Sequence, residues 1–176
     1  MNLSIVLGTA REDRVSYRVS KALENVFKES GIEPTFVDVK DHVVEAKTTP
    51  PWGKNGTETT KTKWQEIARN TDVFVFVIPE YNHGYPGEWK LLMDSLYTEY
   101  AGKHAFVVGV SDGHFAGARV IDHVKPILVE LQLRPYKTAL YVGKAPEVIS
   151  ESGELLSEEL QKRFSKFVDS VIKIAS

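Results

Sequence analysis

Short, continuously apolar runs alternate along this chain with longer stretches in which apolar residues recur every three or four positions. Leu3 to Leu7, closed by Gly8, is the first run, and without polar alternation it predicts a strand buried on both faces. Val15, Val19, Ala22, Leu23 and Val26 then recur at helical spacing up to Ser30-Gly31, where glycine suits a C-cap. Thr35 to Val39, behind Pro34, predicts a second strand. Residues 40 to 57 carry Pro50-Pro51, Gly53 and Gly56 and predict a long excursion loop. Thr60 to Asn70 predicts a helix with Trp64, Ile67 and Ala68 inward, broken at Thr71-Asp72 before the central-strand candidate, Val73 to Ile78. Pro86 suits the first turn of a third helix running to about Glu99. A strand (His104 to Val110), a helix (Ala116 to Leu131), a strand (Pro135 to Val142) and a helix (Ser157 to Ala175) complete the pattern.

Five strands alternating with five helices predict an α/β, doubly wound, three-layer sandwich around a five-stranded parallel sheet, with the flavodoxin-like strand order 2-1-3-4-5. The chain has 176 residues; at roughly 150 residues per domain, 1–176 is expected to be a single domain. Ligands of such sheets bind beyond the carboxyl ends of the strands, where the order reverses between strands 1 and 3. That directs attention to three loops.

Composition narrows the chemistry. With no cysteine among its residues the chain has no disulfide, thiolate metal site, iron–sulfur cluster or Cys nucleophile. Five histidines without paired ligand spacing predict no metal site. Redox chemistry, if present, requires a borrowed cofactor. Lys and Arg number 22 against 24 Asp and Glu, a net charge of −2, without the basic excess of a nucleic-acid binder. The longest apolar run, Val73 to Pro79, is far short of the roughly 18 residues of a membrane span, and the opening segment lacks a basic export leader. No membrane association and a cytoplasmic location are expected.

The first loop, Gly8 to Tyr17, combines Gly8, the hydroxyls of Thr9 and Ser16, the Arg11 guanidinium and a helix N-terminus. Those are the parts of a phosphate site. Equally, Ser16 could cap the helix and Arg11 be a solvated charge. The loop is neither Gly-x-Gly-x-x-Gly nor a Walker motif, which disfavours a dinucleotide or nucleoside triphosphate as the resident ligand. The second loop, Pro79-Glu80-Tyr81-Asn82-His83-Gly84-Tyr85-Pro86-Gly87-Glu88-Trp89-Lys90, is stiffened by two prolines and can offer backbone groups to the edge of a flat heteroaromatic ring, with tyrosines as apolar walls. The third, Ser111 to Gly117, allows close backbone approach at Gly113 and Gly117.

Pro79-Glu80-Tyr81-Asn82 followed by Gly84-Tyr85-Pro86-Gly87 and Lys90, together with Gly8-Thr9-x-Arg11 and Ser16, resembles the signature of the NADPH-dependent FMN reductase family, flavodoxin-like quinone, azo-compound and flavin reductases. The resemblance implies a noncovalent FMN with its phosphate held by Thr9, Arg11, Ser16 and the backbone around Tyr17, and its pyrimidine edge met by Pro79, Glu80, Tyr81 and Asn82. Ser111 and Gly113 are carried over as third-loop contacts. Here the chain departs from the family's commonest form, since Asp112 stands where a tyrosine is frequent; Asp112 is expected to face solvent or cap the fourth helix. The implied activity is hydride transfer from NADPH or NADH through FMN to a quinone, azo compound or free flavin. No side chain is required as a catalytic nucleophile, because the flavin carries the chemistry.

His83 and His114 at the site edge are weighed as proton donors against exposed residues without a role, and the latter is favoured. Asp122-His123 predicts a solvated helical face. Trp89, Leu92, Met93, Leu96, Tyr97 and Tyr100, with Leu91, give the third helix more apolar width than one sheet-facing stripe needs. The surplus fits ordinary core or, as the resemblance implies, a homodimer or dimer-based tetramer paired through this helix; Trp52 of the excursion loop could then cover the flavin. Two other functions remain open: an FMN-binding electron carrier or redox-sensing module without NAD(P)H turnover, and another phosphate-binding domain. A carrier commonly shows a strongly acidic docking face, which a net charge of −2 does not favour.

Overall fold

The structure is a computed structural model that describes residues 1–43 and 62–175. Strands β1 (Leu3–Leu7), β2 (Thr35–Asp38), β3 (Val73–Pro79), β4 (His104–Val110) and β5 (Arg134–Val142) form one parallel sheet in the order β2-β1-β3-β4-β5. This is the order the alternation of elements predicts. All seven residues of β3 are buried, and their side chains divide between two cores. Val73, Val75 and Val77 pack with Val19, Leu23 and Phe27 of α1 (Val15–Glu29) and Phe164, Phe167 and Val168 of α6 (Glu158–Ala175). Phe74, Phe76 and Ile78 pack on the opposite face against α2 (Lys63–Asn70), α3 (Gly87–Asp94) and α4 (Ala118–Glu130). Strand side chains alternate between faces, so β3, roofed on both sides, is apolar throughout.

The third helix ends earlier than its apolar periodicity predicts. Ser95 Oγ donates to Leu92 O at 2.6 Å, Tyr97 leaves helical geometry at φ −145°, and Thr98–Tyr100 form a separate 3-10 turn. Its apolar surplus is largely core: Trp89, Leu92, Met93, Leu96 and Tyr100 are buried within this chain, while Leu91 and Tyr97 are half-buried. Trp64 of α2 donates from Nε1 to the Tyr100 hydroxyl at 3.1 Å, and burial pushes that phenol far above its ordinary range. A one-turn helix, α5 (Ala145–Val148), follows β5 and has no periodicity from which it could be anticipated. Trp52 and the rest of the expected excursion loop from residue 44 onward lie outside the described residues. Among the described residues no helix is long and apolar enough to cross a membrane.

Two glycines bring α4 against β4. Gly117 has φ +72°, and a Cβ there would stand 2.6 Å from Val110 N; one on Gly109 would stand 2.6 Å from Gly117 O. Gly31, past the end of α1, has φ +79° with open space around it. Replacing Gly31 by Ala adds only backbone strain and is expected to cost about 1 kcal/mol, whereas Gly117→Ala adds overlap and is expected to cost about 3 kcal/mol. Denaturant melts of the two variants check this, and equal losses would contradict the close-approach explanation.

Candidate active site at the carboxyl edge of the sheet

The loops leaving β1, β3 and β4 converge on a cavity of about 440 Å³ lined by residues 11–16, 79–81 and 110–112. Gly8 continues β1 toward it, donating its N–H to Val77 O at 2.9 Å. A Cβ on Gly8 would stand 2.4 Å from Ile78 Cδ1, so a larger residue there would require the Ile78 side chain to shift. The N-terminus of α1 faces the cavity, and no acidic residue lies in its first turn. Ser16 is buried in that turn and its hydroxyl has no hydrogen-bond partner among the described residues. The alternative that Ser16 caps α1 fails, since the N-cap position is Arg14 and no side chain caps it.

Arg11 is exposed, with its guanidinium 5.5 Å from the centre of the Tyr81 ring and no ion pair among the described residues. Arg14 is held by Asp38 at the end of β2 and donates from Nη1 to Thr9 O at 2.5 Å. It ties the loop down and leaves Arg11 as the cation free of such a tie. Tyr17 points away from the cavity wall: its ring lies edge-on to Phe36, and its N–H donates to Arg14 O at 3.0 Å. Thr9 is fully buried behind the wall rather than lining it.

In the second loop, Tyr81 and Gly84 exchange N–H···O bonds of 2.9 and 2.8 Å around Asn82 (φ 50°) and His83 (φ 66°), the double positive φ of a type I′ turn. Glu80 N–H donates to Val110 O at 2.8 Å. The Glu80 and Tyr81 amides are therefore spent on the fold. The amides of Asn82 and His83, at the exposed tip, have no partner among the described residues. The Glu80 carboxylate turns to α4, where it accepts from Arg119 N at 3.2 Å and Arg119 Nη1 at 3.1 Å. It thereby supplies the cap for α4 that the sequence offered to Asp112; Asp112 is instead exposed at the cavity rim. Arg119 in turn lies 4.3 Å over the exposed ring of Phe115.

In the third loop, Ser111 lines the cavity and donates from Oγ to Gly113 O at 3.1 Å. Gly113 does not line it; its carbonyl would be 2.7 Å from a Cβ on Gly143, so this backbone supports the loop behind. His83, His114 and the Asp122-His123 pair are exposed. Of the residues the sequence nominates, the structure brings Arg11, Ser16, Pro79, Glu80, Tyr81 and Ser111 to one cavity. Thr9, Tyr17, Asn82 and Gly113 flank it. No cluster of His, Asp and Glu suited to a metal ion occurs among the described residues.

Residues 1–147 match the family model described as NADPH-dependent FMN reductase. The chain belongs to the NADPH-dependent FMN reductase family. It is 27% identical over 176 aligned residues, covering 93% of this chain and 87% of the relative, to an NAD(P)H-dependent FMN reductase of a Nectria species. It is 28% identical to a quinone reductase of Pseudomonas putida, covering 96% and 91%. The fold is similar to that of a flavoenzyme NAD(P)H:(acceptor) oxidoreductase from Paracoccus denitrificans, with a TM-score of 0.81 at 20% identity over 99% of this chain and 96% of that one. Family membership makes the protein an oxidoreductase with FMN as cofactor and NAD(P)H as co-substrate.

The residues present fit that cofactor. A mononucleotide phosphate needs donors without prior partners, and the helix N-terminus supplies the buried Ser16 hydroxyl, unpartnered among the described residues, in a cavity that Arg11 lines together with the exposed carboxylates of Glu12 and Asp13. Ser16→Ala is expected to weaken FMN binding about tenfold or more, the scale of a hydrogen bond to a charged group. Riboflavin, which lacks the phosphate, should bind wild type and variant alike. Titrations followed by flavin fluorescence check both, and an equal loss for the two ligands would contradict a phosphate role for Ser16.

Proposed function

We propose that the chain holds FMN with its phosphate at Arg11 and Ser16 and its ring along the turn from Pro79 to Asn82, and uses it to reduce a quinone-type acceptor. The observation that carries this reading is the partnerless, buried Ser16 hydroxyl in the cavity wall. When bound, FMN supplies the hydride chemistry, taking electrons from NAD(P)H and giving them to the acceptor.

The chain's own residues bind and orient. Arg11 and Ser16 neutralise and anchor the phosphate, while Tyr81 provides an apolar wall beneath the Arg11 guanidinium. Glu80 works through Arg119, locking the turn to α4 so that the free amides of Asn82 and His83 keep a fixed position. Ser111, with Gly113 behind it, borders the opposite side. Thr9 and Tyr17 support the loop from outside the cavity. With no nucleophile to supply, these residues contribute by presenting donor and acceptor in turn to one site.

A quinone as acceptor rests on the Pseudomonas putida relative, named a quinone reductase, which aligns over 96% of this chain. We further propose that residues 1–176 act as one FMN-binding domain in the cytoplasm. Pairing of two chains over α3 is a part of this reading that the half-buried Leu91 and Tyr97 support. Light scattering on the eluted protein should then give twice the 19.8 kDa chain mass, and a monomer would remove the pairing from the account.

Anaerobic mixing with NADPH tests the activity. Rapid bleaching of the oxidised-flavin absorbance, recovered on adding a quinone, is the expected result. Persistent colour with NADPH and with NADH would contradict reductase turnover and favour an electron carrier.

A further inference from the structure

Behind the cavity wall lies a set of hydrogen bonds that the phosphate site and the flavin turn share. Thr9 Oγ1 donates to Glu88 Oε1 at 2.9 Å, and the same carboxylate oxygen accepts from Ala10 N at 2.8 Å. A carboxylate only accepts, so the Thr9 proton is committed to Glu88. The Tyr81 hydroxyl, 2.9 Å from Thr9 Oγ1, must then be the donor in its bond to Thr9, and Arg11 N–H donates to the same oxygen at 3.2 Å. Thr9 Oγ1 is saturated, with one proton given and two lone pairs taken. Thr9 and Glu88 do not line the cavity, but Tyr81 and Arg11 do.

We infer that Glu88 is a positioning residue of the flavin site: through Thr9 it fixes the Tyr81 ring and the Arg11 backbone, both of which line the cavity. Glu88 is in the first turn of α3, where the helix N-terminus favours a carboxylate. It thus fastens the loop after β1 to the helix that follows the turn after β3, two segments joined in the sheet only through β1 and β3 themselves. Without an acceptor at position 88 the Thr9 proton is free to turn toward Tyr81, displacing the Tyr81 donor and releasing the Ala10 amide. The inference rests on the proposed seat of FMN for its consequence, and on the hydrogen bonds of Thr9 and Glu88 alone for the linkage.

The test uses the full chain as wild type, Glu88→Gln, Glu88→Ala and Thr9→Val. Gln keeps a carbonyl oxygen that accepts from both Thr9 and Ala10, so E88Q is expected to bind FMN within about threefold of wild type, while E88A and T9V each lose about tenfold. The E88A/T9V double variant is expected to lose no more than either single one, the signature of residues acting as one unit. Amide hydrogen exchange over residues 9–11 should quicken in E88A and not in E88Q. If E88A does not fold, T9V against Thr9→Ser, which keeps the hydroxyl, makes the same comparison. Wild-type affinity in E88A, additive losses in the double variant, or tighter FMN binding in both E88Q and E88A would overturn the inference alone, the last by making Glu88 a competing anion. Failure of wild type to take up FMN would overturn the proposed site with it.

Discussion

A strand roofed by helices on both faces admits a polar side chain only where a buried hydrogen-bond partner meets it, as Thr71 meets Ser4 of β1 at 2.7 Å, and the remaining structure follows from that constraint. β3 is buried along its whole length, and β1 likewise. Parallel pairing points the carboxyl ends of all five strands the same way. Polar side chains therefore collect at the strand ends, and the reversal of order between β1 and β3 opens a cleft there. Gly109 and Gly117 let the start of α4 close against β4, because any Cβ at those points would overlap the facing backbone.

Most charges at this edge are committed to the fold. Arg14 binds Asp38, Arg119 binds Glu80, and Glu88 binds Thr9 and Ala10. Each of these ties crosses from one βα unit to another, so the three loops are fixed by one another rather than by their own chain neighbours. Among the described residues the Ser16 hydroxyl in the cavity wall stays without a hydrogen-bond partner, and Arg11, lining the same cavity, stays without an ion pair. Preorganised donors of this kind bind an anion without first giving up internal partners.

The strands were legible because their signal is local: continuous apolar runs bounded by Gly or polar pairs gave the limits of β1 and β4 to the residue. The end of α3 was not, because Trp89 to Tyr100 remain apolar at near-helical spacing after the backbone has left the helix at Ser95, and the 3-10 turn buries Tyr100 in the same core. Arg11, Ser16 and the Pro79 to Tyr81 segment stood out by residue type at a strand's carboxyl end. Asp38, Glu88 and Arg119 did not, since their partners lie 24 to 79 residues away along the chain and no spacing rule connects them. The Glu80 side chain is the instructive case. Motif reading places it toward the flavin, whereas the exposed amide of Arg119 at the start of α4 is a helix donor that needs an acceptor, and Glu80 fills that need.

The central claim is that the Ser16 hydroxyl and the N-terminus of α1 seat a flavin phosphate. A crystal structure of the protein with FMN tests it most directly. The account predicts phosphate density within hydrogen-bonding distance of Ser16 Oγ, with the ring reaching the turn from Pro79 to Asn82. Flavin density elsewhere, or a phosphate that leaves Ser16 without a partner, would contradict it.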